Sequence, residues 1–165
     1  MMSVSPPMPE QPNLVPLSEP HIPALITLFE QSVRQRGPEH YSEAQVEQWA
    51  LGAQHPGFAS QLRDHHGWVL EQGGAILGFV TLSDDGHLSL LYVSADHQRQ
   101  GLGGRLLDTA LNQAGQLGIK TLTTEASAFS YGLFLRYGFQ LTGLESVERG
   151  GDGFIRYRLH WRLPS

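Results

Sequence analysis

Tyr92-Val93-Ser94-Ala95-Asp96-His97-Gln98-Arg99-Gln100-Gly101-Leu102-Gly103-Gly104-Arg105-Leu106-Leu107 is the stretch from which the rest of the chain can be read. A strand-like run, Leu88 to Val93, leads in, and a helical run, Leu102 to Leu117, leads out. Between them lies a polar turn with three glycines in four positions. Such a turn suits a diphosphate. Glycine lets backbone approach an anion closely, because no Cβ intervenes. The first amides of a helix lack internal partners and can point at phosphate oxygens, and the helix dipole adds to the attraction. Arg99 and Arg105 could contribute charge-assisted hydrogen bonds.

The spacing narrows the ligand. A nucleoside-triphosphate loop requires Gly-Lys-Ser/Thr, which is absent. A dinucleotide fold requires glycine directly after the strand and again three residues beyond Gly103. Here seven residues separate Val93 from Gly101, and the later position is Leu106. A nucleotide-binding protein taking ATP or NAD therefore stands as a lesser reading.

Composition bounds the rest. A chain of 165 residues is long enough for one domain with its own core. The apolar fraction is 40%, and no run approaches the roughly 18 residues of a membrane helix, so no membrane role is expected. Residues 1–13 carry four prolines and no leader pattern, and they read as a disordered tail before a single domain at 14–165. There are no cysteines, which excludes disulfides, thiolate metal sites and a cysteine nucleophile. That is compatible with a reducing, cytoplasmic setting. Acidic residues outnumber basic ones 16 to 11, and no basic patch suggests nucleic acid.

In chain order, Leu14 to Leu17 predicts a short strand, and Ser18 caps a helix with apolar residues from Ile22 to Val33. Ser42-Glu43-Ala44-Gln45 is a capping box for a second helix reaching about Leu51, and a third short helix follows Pro56. Trp68 to Glu71 and Ala75 to Leu82 form a hairpin about Gly73-Gly74. Asp84-Asp85-Gly86 turns the chain into a strand from His87 to Val93. After the glycine loop and its helix, a strand runs from Ile119 to about Glu125, making a βαβ crossover. Ser127 is read as the cap of a helix over 128–137. Strands Gln140 to Val147 and Gly153 to Trp161 close the chain. The adjacent His65-His66 pair reads as a solvated helix end, with no metal pattern around it.

This order, together with Gln98-Arg99-Gln100-Gly101-Leu102-Gly103, resembles the GCN5-related N-acetyltransferase (GNAT) superfamily over roughly Leu14 to Leu163. Leu133-Phe134-Leu135-Arg136-Tyr137-Gly138-Phe139 resembles the family's late helix, which often ends Phe-Tyr-x-x-x-Gly-Phe. Tyr41-Ser42-Glu43-Ala44-Gln45 with Trp49-Ala50 is similar to the YafP-like branch. The resemblance implies an α/β fold: a mixed, mostly antiparallel twisted sheet of six to seven strands with about four to five helices. It implies acetyl-CoA as cofactor and a small-molecule or peptide amine as acceptor, and it is compatible with a homodimer.

The resemblance further implies cofactor contacts by the backbone of Leu91, Tyr92 and Val93, by the loop residues Gln98, Arg99, Gln100, Gly101, Leu102, Gly103, Gly104 and Arg105, and by Ser127 and Arg136. Direct attack of the amine on the thioester needs a base, since a lysine-like amine has a pKa near 10.4. Glu125, at a strand's carboxyl end, is the first candidate, and His87 the second. Where relatives often have a proton-donating tyrosine, this chain has Phe134. Tyr131, three residues earlier, is the substitute acid considered first, and Tyr137, three later, shares part of the same helix face. Tyr41 and Trp49 are the candidate acceptor-binding residues. The same features without an acid at Phe134 also fit an acyl-CoA-binding module with weak or no transfer activity.

Overall fold

The computed structural model describes residues 11–149 and 151–164; the tail expected at 1–13 falls outside them up to residue 10. Among the described residues, seven strands form one sheet: β1 (Asn13–Pro16), β2 (His66–Gln72), β3 (Ala75–Leu82), β4 (His87–Val93), β5 (Thr121–Ala126), β6 (Gln140–Arg149) and β7 (Asp152–Arg162). Their order across the sheet is β1-β2-β3-β4-β5-β7-β6. Only β4 and β5 run parallel; the other neighbours are antiparallel. The helices are α1 (Ile22–Arg36), α2 (Glu43–Leu51), α3 (Pro56–Asp64), α4 (Leu102–Gln116) and α5 (Tyr131–Arg136). This is the mostly antiparallel α/β fold that the motif order implies.

Local chemistry accounts for most boundaries. Ser42 Oγ accepts from the Gln45 amide at 3.1 Å, and Gln45 Oε1 accepts from the Ser42 amide at 2.9 Å, closing the capping box of α2. The β2–β3 hairpin turns on Gly73 and Gly74, both at positive φ, as a two-residue loop with matching twist requires. The sheet then buries both faces. Leu25, Phe29, Leu62 and Phe79 fill the layer under α1 to α3, while Leu106, Leu107, Ala110 and Phe134 fill the layer under α4 and α5.

One irregularity in β4 decides which of its side chains face which layer. Thr81 pairs with Leu90 but Leu82 pairs with Leu88, so Ser89 is an extra residue. The bulge resets the alternation of side chains. Leu88 faces the α4 layer, Leu90 and Tyr92 face the α1 layer, and Leu91 and Val93 face the α4 layer again. Beyond the bulge β4 also parts from β5, for the two strands pair only at His87↔Thr123 and Leu88↔Thr124.

Four expectations are corrected. The last helix begins at Tyr131, not residue 128. Ser127 does not cap it; its carbonyl accepts from the Ser130 and Tyr131 amides, and its Oγ from the Phe129 amide at 3.2 Å, so 127–130 is a turn. The strand after α4 starts at Thr121, because Gly118 at φ 77 ends the helix and the Ile119 amide still donates back to Ala114 O at 2.9 Å. His66 is not a helix end but opens β2 opposite Leu82, and its Nε2 lies 2.6 Å from Asp84 Oδ1. Asp84 thus holds a partner strand as well as making a turn.

Candidate active site

A cleft of about 1000 Å³ runs between the parted strands β4 and β5, the first turn of α4, and the layer of α1 to α3. Its floor at one end is the glycine turn. Gly101 is the N-cap of α4 in the left-handed region at φ 75, and no side chain caps the helix. Arg99 is also left-handed, at φ 64. Among the described residues, the amides of Gly101, Leu102, Gly103 and Gly104 carry no hydrogen bond to protein. Four bare donors at one helix start have the geometry of an anion cradle, and the dipole would add to the attraction.

The cradle is held from behind. Gln98 Nε2 donates to the carbonyls of Val93 at 2.9 Å and Ser94 at 3.0 Å, while its Oε1 accepts from Arg36 Nη1 at 3.0 Å. Ser32 Oγ, on buried α1, also donates to Val93 O at 3.1 Å. The Gln98 side chain is therefore consumed in shaping the loop, not offered to a ligand. Arg99 and Arg136 are exposed and line the cleft. Arg105 and Gln100 do not line it: Arg105 Nη1 donates to Pro12 O at 2.5 Å, because its place on the α4 turn carries it toward the N-terminal segment.

Two of the glycines have different reasons. A Cβ on Gly103 would face the cleft wall, 3.1 Å from Leu133 Cδ2 and 3.9 Å from Val93 Cγ2. A Cβ on Gly104 would lie 2.5 Å from Tyr137 Oη. Gly104 makes room for a phenol; Gly103 keeps the cradle open.

From Ser89 onward the β5 side of β4 has no strand partner, so backbone groups around Leu91 to Val93 can meet an extended ligand arm. Tyr92 turns away from that arm. Its ring packs against Phe29 at 4.7 Å and Phe79 at 5.9 Å. Burial drives its phenol well above the ordinary tyrosine range, against a smaller opposing hydrogen bond with Trp49.

His87 and Glu125 come together. His87 Nε2 and Glu125 Oε2 are 2.5 Å apart, with the side chains 36% and 28% exposed. Both line the cleft. The parallel register explains this: His87 pairs with Thr123, and two residues on, Glu125 points to the same face. The candidate acids separate. Phe134 is 2% exposed and packs against Phe139 at 5.0 Å. Tyr131 stacks on Tyr157 at 4.4 Å and does not line the cleft. That corrects its candidacy: α5 starts there, and the ring is turned toward β7. Tyr137 does line the cleft.

The far end is aromatic. Tyr41 sits 5.4 Å from Trp49, 5.7 Å from Phe154 and 6.1 Å from Phe129. Arg36 lies over Phe129 at 4.8 Å, and Gln45 Nε2 ties α2 to the β6–β7 hairpin through Gly153 O at 2.7 Å. Sequence reasoning finds Tyr41 and Trp49 but misses Phe129, Phe154, Ser32 and Arg36. Along the chain Phe129 reads as part of a helix, and Phe154 as an ordinary strand residue; only their meeting marks them. Among the described residues, no group of three or more His, Asp or Glu could hold a metal, and no helix is long and apolar enough to cross a membrane.

The bare amides, the unpaired edge of β4 and the His87–Glu125 contact all border this one cleft. A family model for the acetyltransferase (GNAT) domain matches residues 38–160. The Escherichia coli K12 N-acetyltransferase YafP is 25% identical over 138 residues, 84% of this chain and 87% of that protein. A GCN5-related N-acetyltransferase structure from Rhodopseudomonas palustris aligns with a TM-score of 0.87 at 24% identity, over 96% of this chain and 100% of that one. The PaiA N-acetyltransferase of Thermoplasma acidophilum, solved in complex with coenzyme A, aligns with a TM-score of 0.74 at 16% identity, over 93% and 99%. At those identities the two solved structures speak to the fold.

Proposed function

The chain belongs to the GNAT acetyltransferase family, and from that premise we propose that it moves an acetyl group from acetyl-CoA to a primary amine by direct attack in a ternary complex. The observation that carries this is the set of unoccupied amides at Gly101 to Gly104, next to parted strands. Those amides, with Arg99 and Arg136, hold the phosphates. Leu91 to Val93 receive the pantetheine arm through backbone groups, and Ser127 borders it. Acetyl-CoA supplies an activated acyl group on a good leaving thiolate.

Glu125 accepts the proton of the incoming amine, and His87, 2.5 Å away, orients it and passes the proton on. A free N–H of β4 faces the oxygen that gains charge during transfer. Tyr41 and Trp49 border the acceptor. Tyr137, which lines the cleft where Tyr131 does not, is the candidate phenol for protonating the departing sulfur.

Thiol release from acetyl-CoA across an amine panel tests the reading, alongside calorimetry with CoA, ATP and NAD. CoA binding with amine-dependent thiol release supports it. ATP or NAD binding without CoA binding refutes it. Tight CoA binding with no thiol release on any amine favours the binding module, for which the buried Phe134 is the specific observation.

A further inference from the structure

Resting on that reading, we infer that the acceptor is a monoamine on a flat apolar body, an arylalkylamine by chemical class, and not a polyamine or an aminoglycoside. Two independent features of the cleft point this way.

The first is charge. Among the described residues lining the cleft, Glu125 is the one carboxylate, and His87 already faces it. Four arginines line the same cleft: Arg36, Arg99, Arg136 and Arg156. Arg156 is paired with Glu145, and Arg36 is fixed on Gln98 and Phe129. An acceptor with several ammonium groups needs several carboxylates to replace its lost hydration. This cleft offers one, and it lies where the reacting nitrogen must be. Further ammonium groups would find no second carboxylate, only neutral polar groups such as Gln48 and Gln61, the aromatic wall and Arg36.

The second is the wall itself. Tyr41, Trp49, Phe129 and Phe154 come from the loop before α2, from α2, from the 127–130 turn and from the start of β7. Each is half-buried, with part of its ring left open to the cleft. Aromatic rings gathered from four segments gain most from another flat ring, through area and through offset or edge contacts. One ammonium approaching over ring faces is also favoured.

The chemical step balances without another reactant. The amine nitrogen forms a bond to the acetyl carbon, and the carbon–sulfur bond breaks. The nitrogen's proton goes to Glu125, and the thiolate leaves to be protonated by Tyr137 or water.

The test compares 2-phenylethylamine and tryptamine with spermidine and kanamycin, by thiol release with saturating acetyl-CoA. The expected kcat/KM is at least about tenfold higher for the aryl amines. Phe129→Ala, on a turn, should lower that value about tenfold while calorimetric CoA affinity stays unchanged. Gln48→Glu, a same-size change on the cleft wall, should narrow the gap by raising spermidine turnover. Higher turnover of spermidine or kanamycin by the unaltered protein overturns the acceptor class while leaving the transferase reading intact. Equal loss on aryl and polycationic amines in Phe129→Ala also overturns it. Absence of CoA binding, or CoA binding without release on any amine, removes the transferase reading and the class with it.

Discussion

His87 and Glu125 sit on neighbouring parallel strands, and their Nε2 and Oε2 atoms approach to 2.5 Å across 38 residues of chain. A carboxylate touching a part-exposed imidazole on the cleft wall can take a proton and hand it toward solvent. Glu125→Gln keeps the shape and removes that capacity. Turnover at neutral pH should fall about a hundredfold or more. The deficit should shrink as pH approaches the amine's own pKa near 10.4, where the acceptor loses its proton unaided. Superimposable pH–rate profiles for the two proteins would dismiss Glu125 as the base.

Gly103→Glu places a carboxylate in the anion cradle. Its Cβ meets only the flexible Leu133 side chain at 3.1 Å and Val93 at 3.9 Å, so the protein should still fold. CoA affinity should drop about a hundredfold or more through like-charge repulsion. Calorimetry beside a thermal melt separates the two effects. Retained affinity would place the diphosphate elsewhere.

Gly104→Ala should act differently, on stability first. Its methyl would lie 2.5 Å from Tyr137 Oη, and overpacking of this kind costs about 1–3 kcal/mol. Tyr137→Phe removes the obstructing oxygen and should restore part of the loss. Urea denaturation of the two single variants and the double variant gives the coupling. Strict additivity would mean that the phenol is not the reason for glycine here.

Gln98→Ala deletes the clasp between the Arg36 side chain and the Val93 and Ser94 carbonyls. Ser32 still serves Val93 O, so the stability cost should be modest, about 1 kcal/mol. The loop with left-handed Arg99 would lose its anchor. KM for acetyl-CoA should rise several-fold, with kcat nearly constant. A fall in kcat at unchanged KM would contradict a role in shaping the loop.

Burial raises the Tyr92 phenol above its unfolded value, so its share of stability is complete below about pH 10 and is lost as pH climbs beyond. The unfolded chain releases that proton sooner than the native one. Ultraviolet titration should show one of the five tyrosines resisting ionisation until the protein unfolds. Denaturant midpoints should fall between pH 9 and pH 11, and less so in Tyr92→Phe. Ionisation of all five in the native state would show Tyr92 to be open to water.

The α2 capping box, the Gly73-Gly74 hairpin, the helix after the glycine turn and the succession of elements along the chain are legible in the sequence because each rests on neighbours along the chain. A cap, a positive φ or a 3.6-residue apolar period needs only a few consecutive residues to be seen. The anion cradle is legible for the same reason: bare amides and glycine occur within one turn. The last helix reads too long because Ser127 has the chemistry of a cap, yet its oxygens serve a turn that aims Phe129 into the cleft.

The chain by itself pointed to a mostly antiparallel α/β sheet with a glycine turn and helix start between β4 and β5. Tertiary structure alone decided which side chains meet there. The extra residue Ser89 exists only relative to β3, and it sets which of Leu90 to Val93 face the α1 layer and which the α4 layer. The His87–Glu125 contact, the Gln98 clasp and the four-ring wall all join segments distant in sequence. Side-chain direction at such places follows from strand register and packing, quantities that a linear pattern does not contain.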